Sequence, residues 1–561
     1  MKKYPYQGNI NDIENIIYKK FEKEADRFVL NCIKDYSPQK NLRGKVIHDC
    51  VWGSVMFYPW ELQIMDSPLL QRLRKINQLG LALYTYPSAH HSRFEHTIGV
   101  VAVASKMIES INGGATDLYE NNFKIPEEHI FMIRLAALLH DVGHCFFSHL
   151  SETIYSSMKQ FTELKDSFEI FKTAQAHEIL GYVIINTLTV IKFFTDLVDY
   201  PFKGKMASGV KILLQNIGRM IVGAYVEPYN DMENNVIIPY YLTEMINGQF
   251  DADALDYLRR DSYATGLDLT YNLDRFLYKI RIVECKEQSS HNLIFGRHLT
   301  VPVSGVSTVE EMMYNKQMLT RYIYQHQKVM TVDSLVSDIA NGLMISGQLV
   351  HPCDFLYMCD ENIYMLQNDV FSIPLSCEPI GQLSDKKISD IVKKIASRDL
   401  PKKALILNRH TLSSINGNKC ESVREISNFL NKYRDCLREK IYNKAVEINK
   451  QINNFYTFDM YDIRIAIPKY SLAKDYRNVF ILSNDDKLVP LSDCVNLNEM
   501  ADAYANQSWN AYVFAEIDIL PLITVASMQV FEECGAVFDE SVLSHLKHSV
   551  SVKELISKIK D

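Results

Sequence analysis

No C-x-x-C pair occurs among the 11 cysteines, and an odd number scattered from Cys32 to Cys534 forms no disulfide framework. A reducing compartment, the cytoplasm, is the expectation. Glycine (22) and proline (17) are too sparse in 561 residues for a collagen-like or low-complexity chain. Long apolar runs are missing too. The segment Ile517–Phe531 is broken by Asp518 and Pro521 and is shorter than the ~18 residues of a membrane span, and Met1–Asn9 leads into no signal-peptide core. Nor is there an excess of positive charge: 60 Lys+Arg against 68 Asp+Glu leave a net −8, so nothing indicates nucleic acid as a partner. At 47% hydrophobic and 23% charged residues, what remains is an ordinary globular composition.

Periodicity predicts a mainly α chain. Ile13, Ile16, Ile17, Phe21, Ala25, Phe28, Val29 and Ile33 recur at helical spacing over 10–36. Short β-prone pieces follow over 45–58, and Ser67-Pro68 opens an expected helix through Leu69, Leu70, Leu73, Ile76 and Leu79, ended by Gly80. Ser92-Arg-Phe-Glu95 fits a capping box. Residues 127–141 are apolar almost all round, the mark of a buried helix. Further helices are expected over about 175–200, 207–223, 238–247, 253–261, 308–344 and 423–452. β-Branched and aromatic runs at 404–407, 464–467, 479–482 and 511–517 predict an α+β character for 346–561. The expected division is a helical extension over 1–44, a helical core over 45–345 and an α+β region over 346–561, with a boundary near Gly347–Pro352.

Histidine carries the chemical signal. Eight of the 16 histidines fall between His90 and His177. His140-Asp141 closes the apolar helix, and a buried imidazole beside a carboxylate is costly unless a charge pairs with it. A divalent cation is a natural partner, and mixed nitrogen and oxygen donors suit iron, manganese or zinc better than magnesium, which accompanies a nucleotide instead. His48-Asp49 repeats the dipeptide in a β-like stretch without the other ligands. Taken singly, each of these residues is explained by a satisfied core or cap; for Asp253 the plain explanation is a helix cap. Only the set His96, His140, Asp141 and Asp253 points to a metal.

The strings Ser92-Arg-Phe-Glu-His96, Leu139-His-Asp-Val-Gly-His144 with Phe147-Ser-His149, and Asp253-Ala-Leu-Asp-Tyr-Leu-Arg-Arg-Asp261 resemble the HD-domain phosphohydrolase superfamily, and within it the deoxynucleoside triphosphate triphosphohydrolases. The likeness runs over about 45–328 and continues faintly through Ser397–Lys402; the 44 residues ahead of it leave no room for the sterile alpha motif that some members add. The resemblance implies an HD-domain helical core, a metal on His96, His140, Asp141 and Asp253, and release of the whole triphosphate from a deoxynucleoside. It implies acid–base pairs in His149 with Glu152 and in His144 with His177-Glu178. Arg93 and Lys316 would grip phosphate, and Gln78, Leu79, Tyr257, Asp261 and Tyr324 would line the sugar. Lys45, Val46, Asp66, Gln71 and Arg74 match a guanine-nucleotide activator site between subunits, which implies a dimer or tetramer. Three positions depart from the family: Ala254 where a lysine follows the last ligand, Lys316 for arginine, and Thr320 for a histidine near the sugar. A phosphodiesterase or phosphatase acting on another nucleotide, or a nucleotide-sensing module acting through a partner, are the rival readings.

Overall fold

The computed structural model describes residues 12–39, 43–113, 123–197, 200–202, 209–231, 235–287, 294–366, 370–372, 379–382, 386–420, 422–468, 479–485, 487–496, 499, 503, 506, 509–539 and 541–560. They fall into two compact units. One takes 1–319, 340–389 and 478–494; the other takes 320–339, 390–477 and 495–561.

The first unit is mainly helical. Helix α1 (Asp12–Ile33) buries Phe21, Ala25, Phe28, Val29 and Cys32 along one stripe. A hairpin of β1 (Lys45–Asp49) and β2 (Gly53–Phe57) follows, antiparallel with Lys45 opposite Phe57. Then come α2 (Pro59–Met65), α3 (Pro68–Gln71), α4 (Arg93–Asn112), α5 (Glu127–Leu139), α6 (His149–Tyr155), α7 (Lys159–Ser167) and α8 (Ala176–Ile185). Helices α9 (Leu188–Asp196), α10 (Gly209–Ile221), α11 (Tyr240–Glu244), α12 (Ala252–Thr265), α13 (Leu273–Lys279) and α14 (Val306–Leu319) continue it. The centre is α5, buried from Phe131 to Leu139 as its apolar sequence predicts. Helix α4 packs on α5 and on α12, which brings the three histidine- and aspartate-bearing segments together.

Three differences from the periodicity have local causes. The expected 69–79 helix stops at Gln71 and tightens into a 3-10 turn over Arg72–Lys75, because Asn77 leaves it to bridge Ser92 and Gln78 N–H donates to His91 O at 2.9 Å. The 175–200 helix breaks at Asn186–Thr187, where the Thr187 side chain caps a new helix bent by 56° from α8. The 308–344 helix is two, α14 and Gln327–Ile345, joined by a π-helical turn at Thr320–Tyr324. This unit also holds a six-stranded sheet, of which the sequence predicts the strand at 479–482. It includes Arg281–Glu287 antiparallel to Ile294–Pro302, with Arg281 opposite Thr300, and also Val236–Ile238 and Phe480–Leu482.

In the second unit a three-stranded sheet runs in the order Ile463–Ala466, Ala511–Ala515, Lys402–Leu407. Its core joins Leu405, Val513 and Ile463 with Leu430, Ile441 and Ile448 of the long helix Val423–Gln451 and Phe531 of the helix Leu520–Glu533. Buried Asp338 receives Arg438 Nη1 at 2.7 Å. Among the described residues no single helix is long and apolar enough to cross a membrane.

Candidate functional site

His96 lies in the first turn of α4. Glu95 Oε2 accepts Ser92 N–H at 2.6 Å and Ser92 Oγ accepts Glu95 N–H at 3.3 Å, which fixes that turn and the direction of His96. His140 follows the last residue of α5, and its Nδ1 donates to Ala137 O at 2.8 Å. A carbonyl only accepts, so Nδ1 carries a proton, and in the neutral ring Nε2 is the nitrogen with the lone pair. That atom faces His96 Nε2 at 3.3 Å. Asp251 caps α12 through Ala254 N–H at 2.6 Å, which leaves Asp253 free of the capping role; its Oδ1 reaches His96 Nε2 at 2.9 Å. One ligand atom from each of His96, His140 and Asp253 lies within 4.8 Å of the others. Asp141 borders the group, its Oδ1 3.3 Å from His140 Nε2 and its Oδ2 3.9 Å from His96 Nε2.

Behind His96 stands a chain of charges. Its Nδ1 donates to Asp256 Oδ2 at 2.6 Å; Asp256 also receives Arg260 Nε at 2.8 Å and the indole of Trp52. Arg260 Nη2 pairs with Asp49 Oδ2 at 2.9 Å, and all four charged or imidazole groups are buried. The second His-Asp dipeptide therefore lends its carboxylate to the support of the first. Gly99 makes the approach possible: a Cβ there would sit 1.9 Å from Asp256 Oδ1. Burial alone lowers the His96 pKa, but Asp253, Asp256 and Asp141 outweigh it and push it up to about 10. Burial lifts Asp256 while Arg260 and His96 bring it down, to about 2. Three carboxylates crowd one fully buried imidazole, and their negative charge favours a cation there. The donor set of two imidazole nitrogens and carboxylate oxygens fits a borderline divalent metal.

A second group gathers beside it. Glu152 Oε2 receives His149 Nδ1 at 2.8 Å and His177 Nδ1 at 3.2 Å, while Oε1 accepts Ala176 N–H at 2.6 Å. The ligand atoms of His144, His149, Glu152 and His177 also lie close enough for an ion. The expected pairing of His144 with His177-Glu178 takes another form. His144 stacks on His177 at 3.8 Å between ring centroids and turns Nε2 to Asp141 Oδ1 at 3.3 Å. Glu178 instead accepts Gln175 N–H at 2.7 Å, closing the cap of α8, and Asn247 Nδ2 at 2.9 Å. Helix α8 reaches this close because Gly143 has no side chain; a Cβ would lie 2.1 Å from His177 O. Burial opposes the charge on Glu152, but His177 and His149 hold its carboxyl well below the usual range. Burial and the Arg93 charge keep His144 well below an ordinary imidazole, and Glu152 overcomes burial to raise His177.

Arg93 is buried and engaged, Nη1 with Asp141 Oδ2 at 3.0 Å and Nε with Ser148 Oγ at 2.9 Å. Gln78 is buried with Oε1 lacking a partner, Leu79 is half-buried beside it, and Asp261 Oδ1 lies 2.9 Å from His91 Nε2. Tyr257 is half-buried on α12 and Lys316 half-buried on α14. Tyr324 belongs to the other unit, at the end of the π-helical turn. Lys45, Val46, Asp66 and Arg74 are exposed; Arg74 Nε donates to half-buried Gln71 Oε1 at 2.8 Å and lies over the Phe94 ring at 3.8 Å. Sequence reasoning missed Trp52, Arg72, Arg260 and Asp360, and it set Asp49 aside as part of a dipeptide without the other ligands. Asp256 lies three residues after Asp253, a spacing that puts both on one helix face.

Residues 93–260 match the family described as HD domain. The deoxynucleoside triphosphate triphosphohydrolase SAMHD1 of Bos taurus is 25% identical over 389 residues, 67% of this chain and 59% of its own. The Mus musculus protein of the same name is 26% identical over 322 residues, 56% of this chain and 46% of its own. A homolog from Dictyostelium discoideum is 26% identical over 372 residues, 66% and 61% of the two chains. The chain thus spans between 46% and 61% of the length of these relatives.

Proposed function

We propose that this chain, which carries an HD domain over residues 93–260, is a metal-dependent phosphohydrolase that converts deoxynucleoside triphosphates to deoxynucleosides and inorganic triphosphate. The observation that carries the reading is the convergence of His96, His140 and Asp253 beside Asp141, next to the imidazoles held by Glu152. Names of the relatives supply the substrate class.

A divalent metal on His96, His140, Asp141 and Asp253 would lower the pKa of bound water and screen phosphate charge. The chain's own residues do the remainder. Arg93 fixes Asp141 and presents a planar cation to phosphate. His149, with its side chain 60% exposed and its Nδ1 on Glu152, offers Nε2 to the leaving 5′ oxygen as a proton donor. The unpartnered Gln78 Oε1 accepts from a sugar hydroxyl, with Asp261, Leu79 and Tyr257 completing the sugar site and Lys316 the phosphate site. Arg74, Gln71, Asp66, Lys45 and Val46 form a guanine-nucleotide activator site whose filling is coupled to assembly of like subunits. The substrate phosphates bring magnesium with them, and the enzyme works in the cytoplasm.

Ala254 keeps a second substrate reading in play, since a missing ammonium weakens the hold on a long polyphosphate. Product analysis decides. Incubation of manganese-loaded protein with dGTP should give deoxyguanosine and triphosphate by mass spectrometry. Pyrophosphate or monophosphate would reject triphosphate release, and no turnover of any nucleotide would leave a sensor.

A further inference from the structure

We propose that Asp360 is a positioning residue for the hydrolysis: its carboxylate fixes the turn that presents His149. This rests on the phosphohydrolase reading. Asp360 opens a short helix, Asp360–Met365, more than 200 residues downstream of that turn in the same compact unit, and is 4% exposed. Its Oδ1 accepts Phe147 N–H at 2.6 Å and its Oδ2 accepts Asn77 N–H at 2.8 Å.

The two amides flank the site. Phe147 and Ser148 carry φ of +50° and +56°, two successive positive values that side chains disfavour, and His149 follows at once. Such a conformation persists only where surrounding bonds over-determine it. Asp360 supplies one of those bonds. Ser148 Oγ supplies another, donating to Asn77 O at 2.6 Å while accepting from Arg93 Nε at 2.9 Å. Gly80 lets the segment close on the turn, since its missing Cβ would stand 3.1 Å from Phe147 O. Asn77 in turn precedes Gln78. One carboxylate therefore sets the backbone under the proton donor and under the sugar acceptor, with Ser148 relaying the same arrangement to Arg93. It touches neither ligands nor substrate.

Asp360→Asn in the full-length, metal-loaded protein tests this, since an amide nitrogen faces one of the two N–H groups with a donor in place of an acceptor. The expected result is roughly a tenfold or larger fall in kcat through His149, a smaller rise in KM through Gln78, and metal content at the wild-type level. Hydrogen exchange followed by mass spectrometry should show the Phe147 and Asn77 amides opening ~10-fold faster in the variant, with helices α5 and α12 unaffected. Wild-type kcat and wild-type exchange at both amides would overturn the proposal. If the wild type hydrolyses no nucleotide, the phosphohydrolase reading fails alone and the exchange result still decides the role of Asp360. Should the variant not fold, wild-type amides at 77 and 147 that exchange as fast as exposed backbone would overturn the proposal, and protected ones support it.

Discussion

His177 is bound to Glu152, not to the neighbouring Glu178: its Nδ1 stands 3.2 Å from Glu152 Oε2, the atom that also receives His149. Removing that carboxylate should strip both imidazoles of their partner. Glu152→Gln is expected to lower kcat by about 10²-fold or more while metal content stays at the wild-type level. Steady-state kinetics with metal analysis of the same sample checks it.

Asp256 holds His96 from behind, with Arg260 and Asp49 in line. Asp256→Asn should weaken metal affinity by roughly 10- to 100-fold, the usual effect of losing the partner of a ligating histidine. Asp49→Ala should leave Arg260 short of one partner in a buried place and cost about 3 kcal/mol of stability. Competition with a chelator reads the first, denaturant unfolding the second.

Glu178 gives a pH signature. Burial pushes its carboxyl up to about 7 in the folded chain, above its unfolded value near 4.5. Below pH 4.5 both states hold the proton and nothing is lost. Between 4.5 and 7 the unfolded chain gives up the proton first, so this group lowers stability as pH rises, and the loss is complete above 7. Glu178→Gln should therefore raise Tm at pH 8 and leave it nearly unchanged at pH 4. An equal shift at both pH values would contradict the assignment.

Arg72 donates Nη1 to His144 O and Nη2 to Val142 O, both at 2.7 Å, and is buried. Arg72→Ala would leave two buried carbonyls unpaired beside a cavity, at a cost of about 3 kcal/mol or more. Unfolding in urea would measure it, and a loss below about 1 kcal/mol would show that water replaces the guanidinium.

Much of the site was legible in the sequence because its clues are local. His140-Asp141 ends an apolar helix, Ser92 and Glu95 announce the turn that bears His96, and Asp253 opens a helix. Even so, the acid at 253 could not be separated from a cap until Asp251 was seen to take that role. What stayed hidden depends on contacts between distant segments. Nothing near position 49 or 360 in the chain points to Arg260 or Phe147. The choice of Glu152 over Glu178 follows from how closely Gly143 lets α8 approach, which no periodicity encodes. The overlong helix over 69–79 failed for the same reason, since Asn77 answers to Ser92 across the chain.

The line from Asp49 through Arg260 and Asp256 to His96 also bears on biosynthesis. A nascent chain that has emerged only as far as Asp141 already owns two imidazoles and the aspartate beside them, yet His96 has nothing to steady it. Capture of the ion must wait for the ribosome to release α12, and a truncated translation product ending before residue 260 should remain metal-poor however much metal the cell supplies.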